Sequence, residues 1–309
     1  MTGNNNKFMC TVGSIVPNDA SQLYTVRSTD SVATAIKLMT EKHILSVPVF
    51  DVEHRVFNRF LDMIDITTFC LDQLSDKLDN VDNILAVKDI FNNTKCGDIC
   101  DASGRNPYRA VESRASLLNA VELMVKWNVH RLPVIDSEGN MVSILTQSRV
   151  IGYINDNLRE IDPKLLRSTL SKMESLGTSE VIGVTEESAV LDAFKIMKEK
   201  KISAVAVIIE DGTIVGNISA SDIKMIGPEG TFASRLQLTV RTFLNMIPKD
   251  PTENEHLSSV VQVQGSTTFE DLLEKYLLTK VHRVYMLDDN KRASRIISQG
   301  DVLKCIIDN

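Results

Sequence analysis

The sequence predicts an α/β protein made of α+β repeats, in which four units with the element order β-α-β-β-α follow one another along 309 residues. The first observation is an apolar pattern with the i, i+3, i+4, i+7 spacing of an amphipathic helix, which occurs four times. The second is a fixed register, because one position of an apolar strand follows nine residues after the last member of each pattern. The helical patterns are Val32, Ala35, Ile36, Met39; Leu117, Ala120, Val121, Met124; Val190, Ala193, Phe194, Met197; and Phe269, Leu272, Leu273, Tyr276, with strand positions Pro48, Pro133, Ala206 and Tyr285.

Each predicted unit begins with a short strand, which leads through polar capping residues into the first helix. These short strands are expected at Tyr24–Val26, Tyr108–Val111, Val181–Val184 and Val260–Val263. The next strand of each unit is expected at Ser46–Phe50, Arg131–Ile135, Ala204–Ile209 and Arg283–Leu287. After an acidic turn, the last strand is expected at Phe57–Leu61, Met141–Leu145, Ile214–Ile218 and Ser294–Ile297, and a second helix follows it.

One such unit exposes too much apolar surface to be stable alone, so the units are expected to pair. A segment of helical composition, Pro163 to Leu176, separates the second repeat from the third. The sequence therefore predicts two consecutive modules, 20–160 and 161–309. Their repeats are expected at about 22–72 and 106–157, and at about 178–227 and 258–309.

Composition excludes several classes of protein. The net charge of −7 argues against non-specific binding of nucleic acid. The longest apolar run, Ala204 to Ile209, is much shorter than the roughly 20 residues that cross a bilayer. Asn4, Asn5 and Asn6 stand where a signal peptide has its apolar core, and five widely spaced cysteines fit a reducing compartment. We therefore expect a cytoplasmic protein, with a nuclear location also open.

A short polar motif opens the second helix of each repeat. It reads Asp62 to Asp65, Thr146 to Arg149, Ser219 to Asp222 and Ser298 to Asp301. One interpretation is ordinary helix capping, since Ser and a carboxylate both stabilise a helix N-terminus. The other is ligand binding, because a carboxylate accepts both hydroxyl donors of a ribose diol. Arginine accepts none, so a ribose site is expected to be absent at Arg149.

Two His-Arg pairs stand at one structural position, the start of the first long strand of repeats two and four. They are His130 with Arg131 and His282 with Arg283. A solvated charge beside a packed histidine is the simpler interpretation of one such pair. Their recurrence favours a phosphate site, because the guanidinium and imidazole groups are phosphate donors worth about 1.5–3 kcal/mol each when desolvated.

These motifs resemble the cystathionine-β-synthase (CBS) domain family, in which two tandem repeats form a Bateman module. The stretches from Val129 to Asp136 and from Lys280 to Arg283 are similar to the gamma-subunit family of AMP-activated protein kinase. The resemblance covers almost the whole chain and implies two Bateman modules in a pseudo-symmetric disc. It also implies the residue roles: Asp65, Asp222 and Asp301 bind ribose; His130, Arg131, His282, Arg283 and Arg149 bind phosphate; Thr178, Ser203, Ser219 and Ser298 lie near adenine.

The chain departs from that family at two cationic positions. Leu45 stands where the gamma subunit has an arginine in repeat one, and Ser148 where it has a lysine. Asp62 replaces the usual Ser or Thr beside Asp65, so two carboxylates share one helix face and the repeat-one site is the weakest candidate.

The expected function is that of a non-catalytic regulatory subunit that senses AMP, ADP and ATP and modulates a protein kinase. Expected partners are the catalytic and scaffold subunits of that kinase, with homodimerisation open. No enzyme motif is present, and Cys96 with Cys100 is a lone CxxxC without further metal ligands, so no metal or other cofactor is expected. The alternative is a CBS-type interaction scaffold that regulates a kinase or phosphatase without binding nucleotide.

Overall fold

A computed structural model describes residues 8, 10–17, 23–74, 84–226, 235–246 and 260–309. Asn4 to Asn6 and the expected repeat limits at 20, 22, 227 and 258 lie outside these described residues. Within them, no helix is both long and apolar enough to cross a membrane.

Each repeat contains a three-stranded sheet, as predicted. The short leading strand pairs in parallel with the central strand, and the central strand pairs antiparallel with the last one. The central strand has a register shift near its end at the same place in every repeat. The strands are β1 Val26–Arg27, β2 Ser46–Asp51, β3 Val56–Asp62; β4 Val111–Glu112, β5 Arg131–Ile135, β6 Met141–Thr146; β7 Gly183–Thr185, β8 Ala204–Ile208, β9 Ile214–Ser219; and β10 Gln262–Gln264, β11 Arg283–Leu287, β12 Ala293–Ser298.

The first helix of each repeat buries the predicted apolar stripe and no other residue. Met39, Met124, Met197 and Tyr276 occupy the eighth position of their helices, which confirms the fixed register. A Ser or Thr side chain accepts a capping hydrogen bond at three of the four helices, whereas Ala189 stands at the cap of the third repeat and has no side-chain acceptor. Together with the other α-helices of the described residues, these are α1 Val12–Ile15, α2 Val32–Glu41, α3 Met63–Leu74, α4 Ile84–Asn93, α5 Cys96–Ile99, α6 Leu117–Trp127, α7 Gln147–Asp156, α8 Pro163–Leu166, α9 Val190–Glu199, α10 Ile223–Ile226, α11 Val240–Met246, α12 Phe269–Thr279 and α13 Gln299–Asp308.

The segment between repeats two and three is less helical than the sequence predicts. Instead of one helix from Pro163 to Leu176, it has the single turn α8 and a 3-10 turn at Leu170–Lys172. Asp162 caps α8 and Pro163 begins it, but the helix ends after one turn at Arg167. Leu165, Leu166 and Leu170 are buried, so packing against the core sets the path of this segment.

Packing contacts group the described chain into two compact units. The repeat-2/4 unit comprises Met1–Leu23, Tyr108–Val181 and Val261–Asn309, and the repeat-1/3 unit comprises Tyr24–Pro107 and Ile182–Val260. Each unit has its own apolar core, in which α6 and α12, or α2 and α9, carry the buried stripes. This grouping by contact differs from the consecutive division 20–160 and 161–309 expected from the sequence, because helix faces of alternate repeats share one core.

Short leader segments before each repeat support the consecutive pairing, which stays a prediction. The leader before repeat one docks on the first-helix cap of repeat two, through a bridge between Thr11 and Ser116. The leader before repeat two docks on repeat one in the same way, through Lys95 and Ser31. Repeats three and four make the same reciprocal exchange. The four equivalent backbone bonds run from Val12 N to Ala115 O, Cys96 N to Asp30 O, Leu170 N to Thr267 O and Val240 N to Ser188 O, at 2.8–2.9 Å.

Candidate functional site

The N-termini of α7 and α13 lie side by side in the repeat-2/4 unit. Ser148 Oγ donates to Gln299 Oε1 at 2.9 Å. On the other side, a Cβ at Gly300 would lie 3.3 Å from Gln147 Nε2, so glycine allows the two helix ends to approach closely. Each helix N-terminus carries the positive end of the helix dipole, so the pair is favourable for an anion.

Both predicted His-Arg pairs lie at these two helix ends. The His130 carbonyl accepts the Gln147 N–H at 3.0 Å, and the His282 carbonyl accepts the Gln299 N–H at 3.2 Å. Arg131 and Arg283 follow directly as the first residues of β5 and β11, where both are half-buried. The structure therefore brings the two pairs into one unit, at equivalent places on neighbouring helix ends.

Asp301 forms a helix capping box with Ser298. Its Oδ2 accepts from Ser298 N at 2.7 Å and from Ser298 Oγ at 2.6 Å, while Ser298 Oγ accepts from Asp301 N. The capping interpretation of the motif is thus confirmed here. Because the described contacts of the carboxylate use Oδ2, Oδ1 is the atom that a ribose hydroxyl would meet.

The charges of Asp301 and Arg283 act on the same buried hydroxyl, that of Tyr276. Burial raises the pKa of Tyr276, the Asp301 carboxylate raises it further, and the Arg283 guanidinium opposes both. The predicted ribose-binding and phosphate-binding residues of repeat four therefore both lie near one buried side chain.

Thr178 pairs with Ile296 of β12, which lies two residues before Ser298. Its N–H donates to the Ile296 carbonyl at 2.8 Å, and its carbonyl accepts the Ile296 N–H at 2.9 Å. The preceding Gly177 has φ +83°, and a Cβ there would lie 2.4 Å from the Ile296 carbonyl oxygen. Only glycine fits this position, and it places the exposed Thr178 beside the Ser298 and Asp301 capping box.

Arg149 lines a cavity of about 560 Å³ in the same unit. Its Nη1 donates to the Ile15 carbonyl at 3.3 Å, and Thr146 Oγ caps its N–H. Ser148 and Gln299 also line the cavity, together with Lys280 at the C-terminal cap of α12. Lys280 begins the stretch that resembles the gamma-subunit family but was assigned no site role; it reaches the cavity through the packing of α12 beside α7.

The repeat-1/3 unit has the same motif geometry without the His-Arg pairs. Asp222 forms a capping box with Ser219, whose N–H lies 2.7 Å from Asp222 Oδ2. The Ser203 carbonyl accepts the Ala220 N–H at 2.9 Å, which puts Ser203 at the place that His130 and His282 occupy in the other unit. Ala204 follows where an arginine stands there.

Asp65 is fully buried, with 0% of its surface exposed. Its Oδ1 accepts from Ser103 Oγ at 2.5 Å and from Ser103 N at 3.0 Å, and its Oδ2 accepts from Asp62 N at 3.0 Å. Burial, together with the neighbouring Asp62 carboxylate, raises the pKa of Asp65 from the usual 3.8 to about 6. Ser103 thus supplies two donors to the very carboxylate that the sequence assigns to a ribose diol.

Lys224 is a half-buried cation that no sequence motif predicted. Its Nζ donates to the carbonyls of Ile44 at 2.6 Å and Met39 at 3.3 Å. Burial lowers the pKa of Lys224, while the Asp222 and Asp62 carboxylates act in the opposite direction. Its charge partly compensates the acidic residues of the repeat-1/3 unit.

Sequence comparison assigns the family. The CBS domain profile matches residues 12–67, 97–156 and 173–227, which together make up more than half of the chain. The chain therefore belongs to the CBS domain family. Its fourth repeat has the same element order as the three matched segments.

Several kinase regulatory subunits are similar to the chain. The 5'-AMP-activated protein kinase subunit gamma of Dictyostelium discoideum is 28% identical over 65% of this chain and 35% of its own length. The SNF1-related protein kinase regulatory subunit gamma-1 of Arabidopsis thaliana is 25% identical over 93% of this chain and 79% of its own. Protein SDS23 of Candida albicans is 26% identical over 91% of this chain and 49% of its own. The chain thus spans between a third and a half of the Dictyostelium and Candida proteins.

A solved structure has the same fold. Protein MJ1225 of Methanocaldococcus jannaschii, an archaeal candidate homologue of the gamma subunit, superposes with a TM-score of 0.76 at 19% identity. The match covers 96% of this chain and 99% of the archaeal one. At this identity the likeness concerns the fold alone.

Proposed function

We propose that the chain is a non-catalytic regulatory subunit that senses AMP, ADP and ATP and modulates a protein kinase. Its similarity to regulatory subunits of AMP-activated and SNF1-related kinases supports a CBS-type regulatory role. The observation that carries the nucleotide part is the convergence of both His-Arg pairs and Arg149 on the paired N-termini of α7 and α13, beside Asp301.

The Asp301 site has a group for each part of a nucleotide. Asp301 Oδ1 faces the ribose diol, Thr178, which pairs with β12, contacts adenine, and His282 with Arg283 holds phosphate. Arg149 and Lys280 add two cations at the cavity. In an acidic protein, this local excess of donors is where a phosphate gains most from desolvated charge-assisted bonds.

Calorimetric titration of the full chain with AMP, ADP and ATP tests the proposal. Asp301→Ala removes two charge-assisted ribose bonds and should weaken binding at its site by about 1.5–3 kcal/mol, or roughly ten- to hundredfold. Arg283→Gln should weaken ATP more than AMP, because more phosphate charge loses its partner. Arg159→Gln, an exposed substitution in the same unit, is the control and should change neither. Absence of binding by the parent chain rejects the proposal.

The kinase part has its own measurement. Protein kinase activity retained on the immobilised full chain should change when AMP is exchanged for ATP, because occupancy alters the affinity for the partner by the same free energy that couples the two sites. Kinase activity that is the same with AMP and with ATP would reject the kinase part of the proposal and leave nucleotide binding standing.

A scaffold that binds no nucleotide is the second candidate. Its support comes from the repeat-1/3 unit, where the His-Arg positions have no cation and are occupied by Leu45, Ser46, Ser203 and Ala204. In the same unit, Ser103 donates hydrogen bonds to the Asp65 carboxylate. Under this alternative, Asp222→Ala and Asp301→Ala lose only a helix cap, about 0.5–2 kcal/mol of stability, and no ligand shifts the melting temperature.

A further inference from the structure

Arg295 holds the segment that leads to Thr178. It lies on β12, and its Nη1 is 2.8 Å from the Met173 carbonyl, 3.2 Å from that of Leu176 and 3.4 Å from that of Leu170. One nitrogen with two hydrogens therefore contacts three carbonyls around a 3-10 turn. The Leu170 and Met173 carbonyls also accept the backbone N–H groups of Met173 and Leu176, at 3.2 and 3.0 Å. No other described side chain donates to these three carbonyls.

The contact continues without a break into the candidate adenine contact. Leu176 precedes Gly177, whose φ of +83° turns the chain onto β12, and Thr178 then pairs with Ile296, the residue after Arg295. The side chain of Arg295 and the backbone of Ile296, two adjacent residues of β12, thus hold the two ends of the segment from Leu170 to Thr178. Arg295 therefore holds the segment that leads to Thr178, in addition to the two backbone bonds that Thr178 itself makes.

We propose that Arg295 is a positioning residue for base recognition: by fixing Leu170 to Thr178 on β12, it holds Thr178 where it contacts the base of a nucleotide whose ribose is bound by Asp301. This inference rests on the proposed function. Arg295 touches neither ribose nor phosphate, so its effect is confined to the part of the affinity that comes from the base.

Comparison of AMP with ribose 5-phosphate, which lacks the base, tests the inference in the full chain. Arg295→Gln should weaken AMP binding about tenfold, the effect of one lost hydrogen bond in a desolvated site, and leave ribose 5-phosphate unchanged. Arg292→Gln removes the same charge from an exposed position on the preceding turn and should change neither affinity. Arg295→Lys keeps one donor group and should recover part of the AMP affinity.

Amide hydrogen exchange provides a readout that needs no ligand. In Arg295→Gln, exchange at Thr178 and Ile296 should be at least about tenfold faster than in the parent, while exchange in β11 stays the same. Equal losses of AMP and ribose 5-phosphate, or unchanged affinities with unchanged exchange, overturn the inference and leave the proposed function standing. A parent chain that binds neither ligand overturns both.

Discussion

The same motif position has different chemistry in different repeats, and Asp65 is the clearest case. Its carboxylate is buried and accepts three hydrogen bonds from Ser103 and Asp62, whereas Asp222 and Asp301 are half-buried and cap their own helices. A ribose could reach Asp65 only after the chain around Ser103 had moved. Among the predicted ribose residues, we therefore propose the half-buried Asp222 and Asp301 as the ribose-binding ones.

The raised pKa of Asp65 should appear in the pH dependence of stability. Between about pH 4 and about pH 6 the folded chain keeps the Asp65 proton and the unfolded chain has lost it. The free energy of unfolding therefore falls as pH rises through this window, by up to about 1.4 kcal/mol per pH unit, and this loss is complete above it. Urea denaturation should show the slope in the parent but not in Asp65→Asn. Asp192→Asn, an exposed change in the same unit, should retain the slope, and parallel curves for the parent and Asp65→Asn would contradict the assignment.

Tyr276 differs from the three methionines at its equivalent positions in that its hydroxyl donates to the Ile297 carbonyl at 2.6 Å. Tyr276→Phe keeps the ring and removes this buried hydrogen bond, while Ile297 stays paired with Val284 in the sheet, so the free energy of unfolding should fall by about 0.5–1.5 kcal/mol. Tyr24→Phe, at an exposed tyrosine, should have almost no effect. Chemical denaturation measures both, and equal stabilities would show that the Ile297 carbonyl is satisfied in another way.

At the scale of elements, a backbone carbonyl beside the N-terminus of the second helix receives its side-chain donor in two different ways. In the repeat-2/4 unit, Gln147 Nε2 donates to the Val129 carbonyl at 3.2 Å and Gln299 Nε2 to that of Val281 at 3.0 Å. The equivalent carbonyl of repeat one belongs to Ile44, but Met63 stands at the glutamine position and has no donor. Lys224 of repeat three supplies the missing donor.

A structural role for Lys224 predicts different effects for its replacement by Met and by Gln. Lys224→Met should lower the free energy of unfolding by about 1–3 kcal/mol, because the Ile44 carbonyl loses its donor and Asp222 and Asp62 lose a nearby cation. Lys200→Met, at an exposed lysine, is the control and should be nearly neutral. Lys224→Gln restores a donor and should recover part of the loss. Identical effects of the two Lys224 variants would show that charge alone matters.

The leader segments depend on small residues at their contacts. A Cβ at Gly97 of α5 would lie 3.0 Å from the Ser28 carbonyl oxygen, whereas a Cβ at Gly152 of α7 meets nothing within 4 Å. Gly97→Ala should therefore destabilise the chain by about 1–3 kcal/mol, while Gly152→Ala should stabilise it by about 0.5–1 kcal/mol through helix propensity. Thermal unfolding of the two variants checks both signs, and a stabilised Gly97→Ala would show that the leader is not held against repeat one.

Local periodicity predicts the elements that bury a stripe or alternate along a strand, so the first helices and the long strands follow from the sequence. The leaders do not, because four residues are too few for a period and their hydrogen bonds go to a different repeat. Ser103, Lys224, Lys280 and Arg295 were missed for a related reason. Each acts on a partner distant in sequence, and nothing in its local pattern distinguishes it from a surface residue.

At the scale of the whole molecule, charge is distributed unevenly between the two units. The repeat-2/4 unit has both His-Arg pairs and Arg149, and the repeat-1/3 unit has Leu45, Ser203 and Ala204 at the corresponding places. Carboxylates of the motif are distributed the other way, with Asp62, Asp65 and Asp222 in one unit and Asp301 alone in the other. An acidic chain with its motif cations concentrated in one unit is expected to bind anions there first.

The number of bound nucleotides should therefore be smaller than the number of repeats. Arg149 offers no acceptor for a ribose, and the Asp65 carboxylate already accepts hydrogen bonds from Ser103. Asp222 and Asp301 therefore remain as the candidate ribose sites. Native mass spectrometry of the full chain with AMP should show at most two bound molecules. Asp301→Ala should remove the tighter one, because its site has the His-Arg pairs, and Asp222→Ala the weaker one. Asp65→Asn should leave the count unchanged. A third bound AMP that disappears in Asp65→Asn would mean that ligand displaces Ser103 and that the repeat-one site is open.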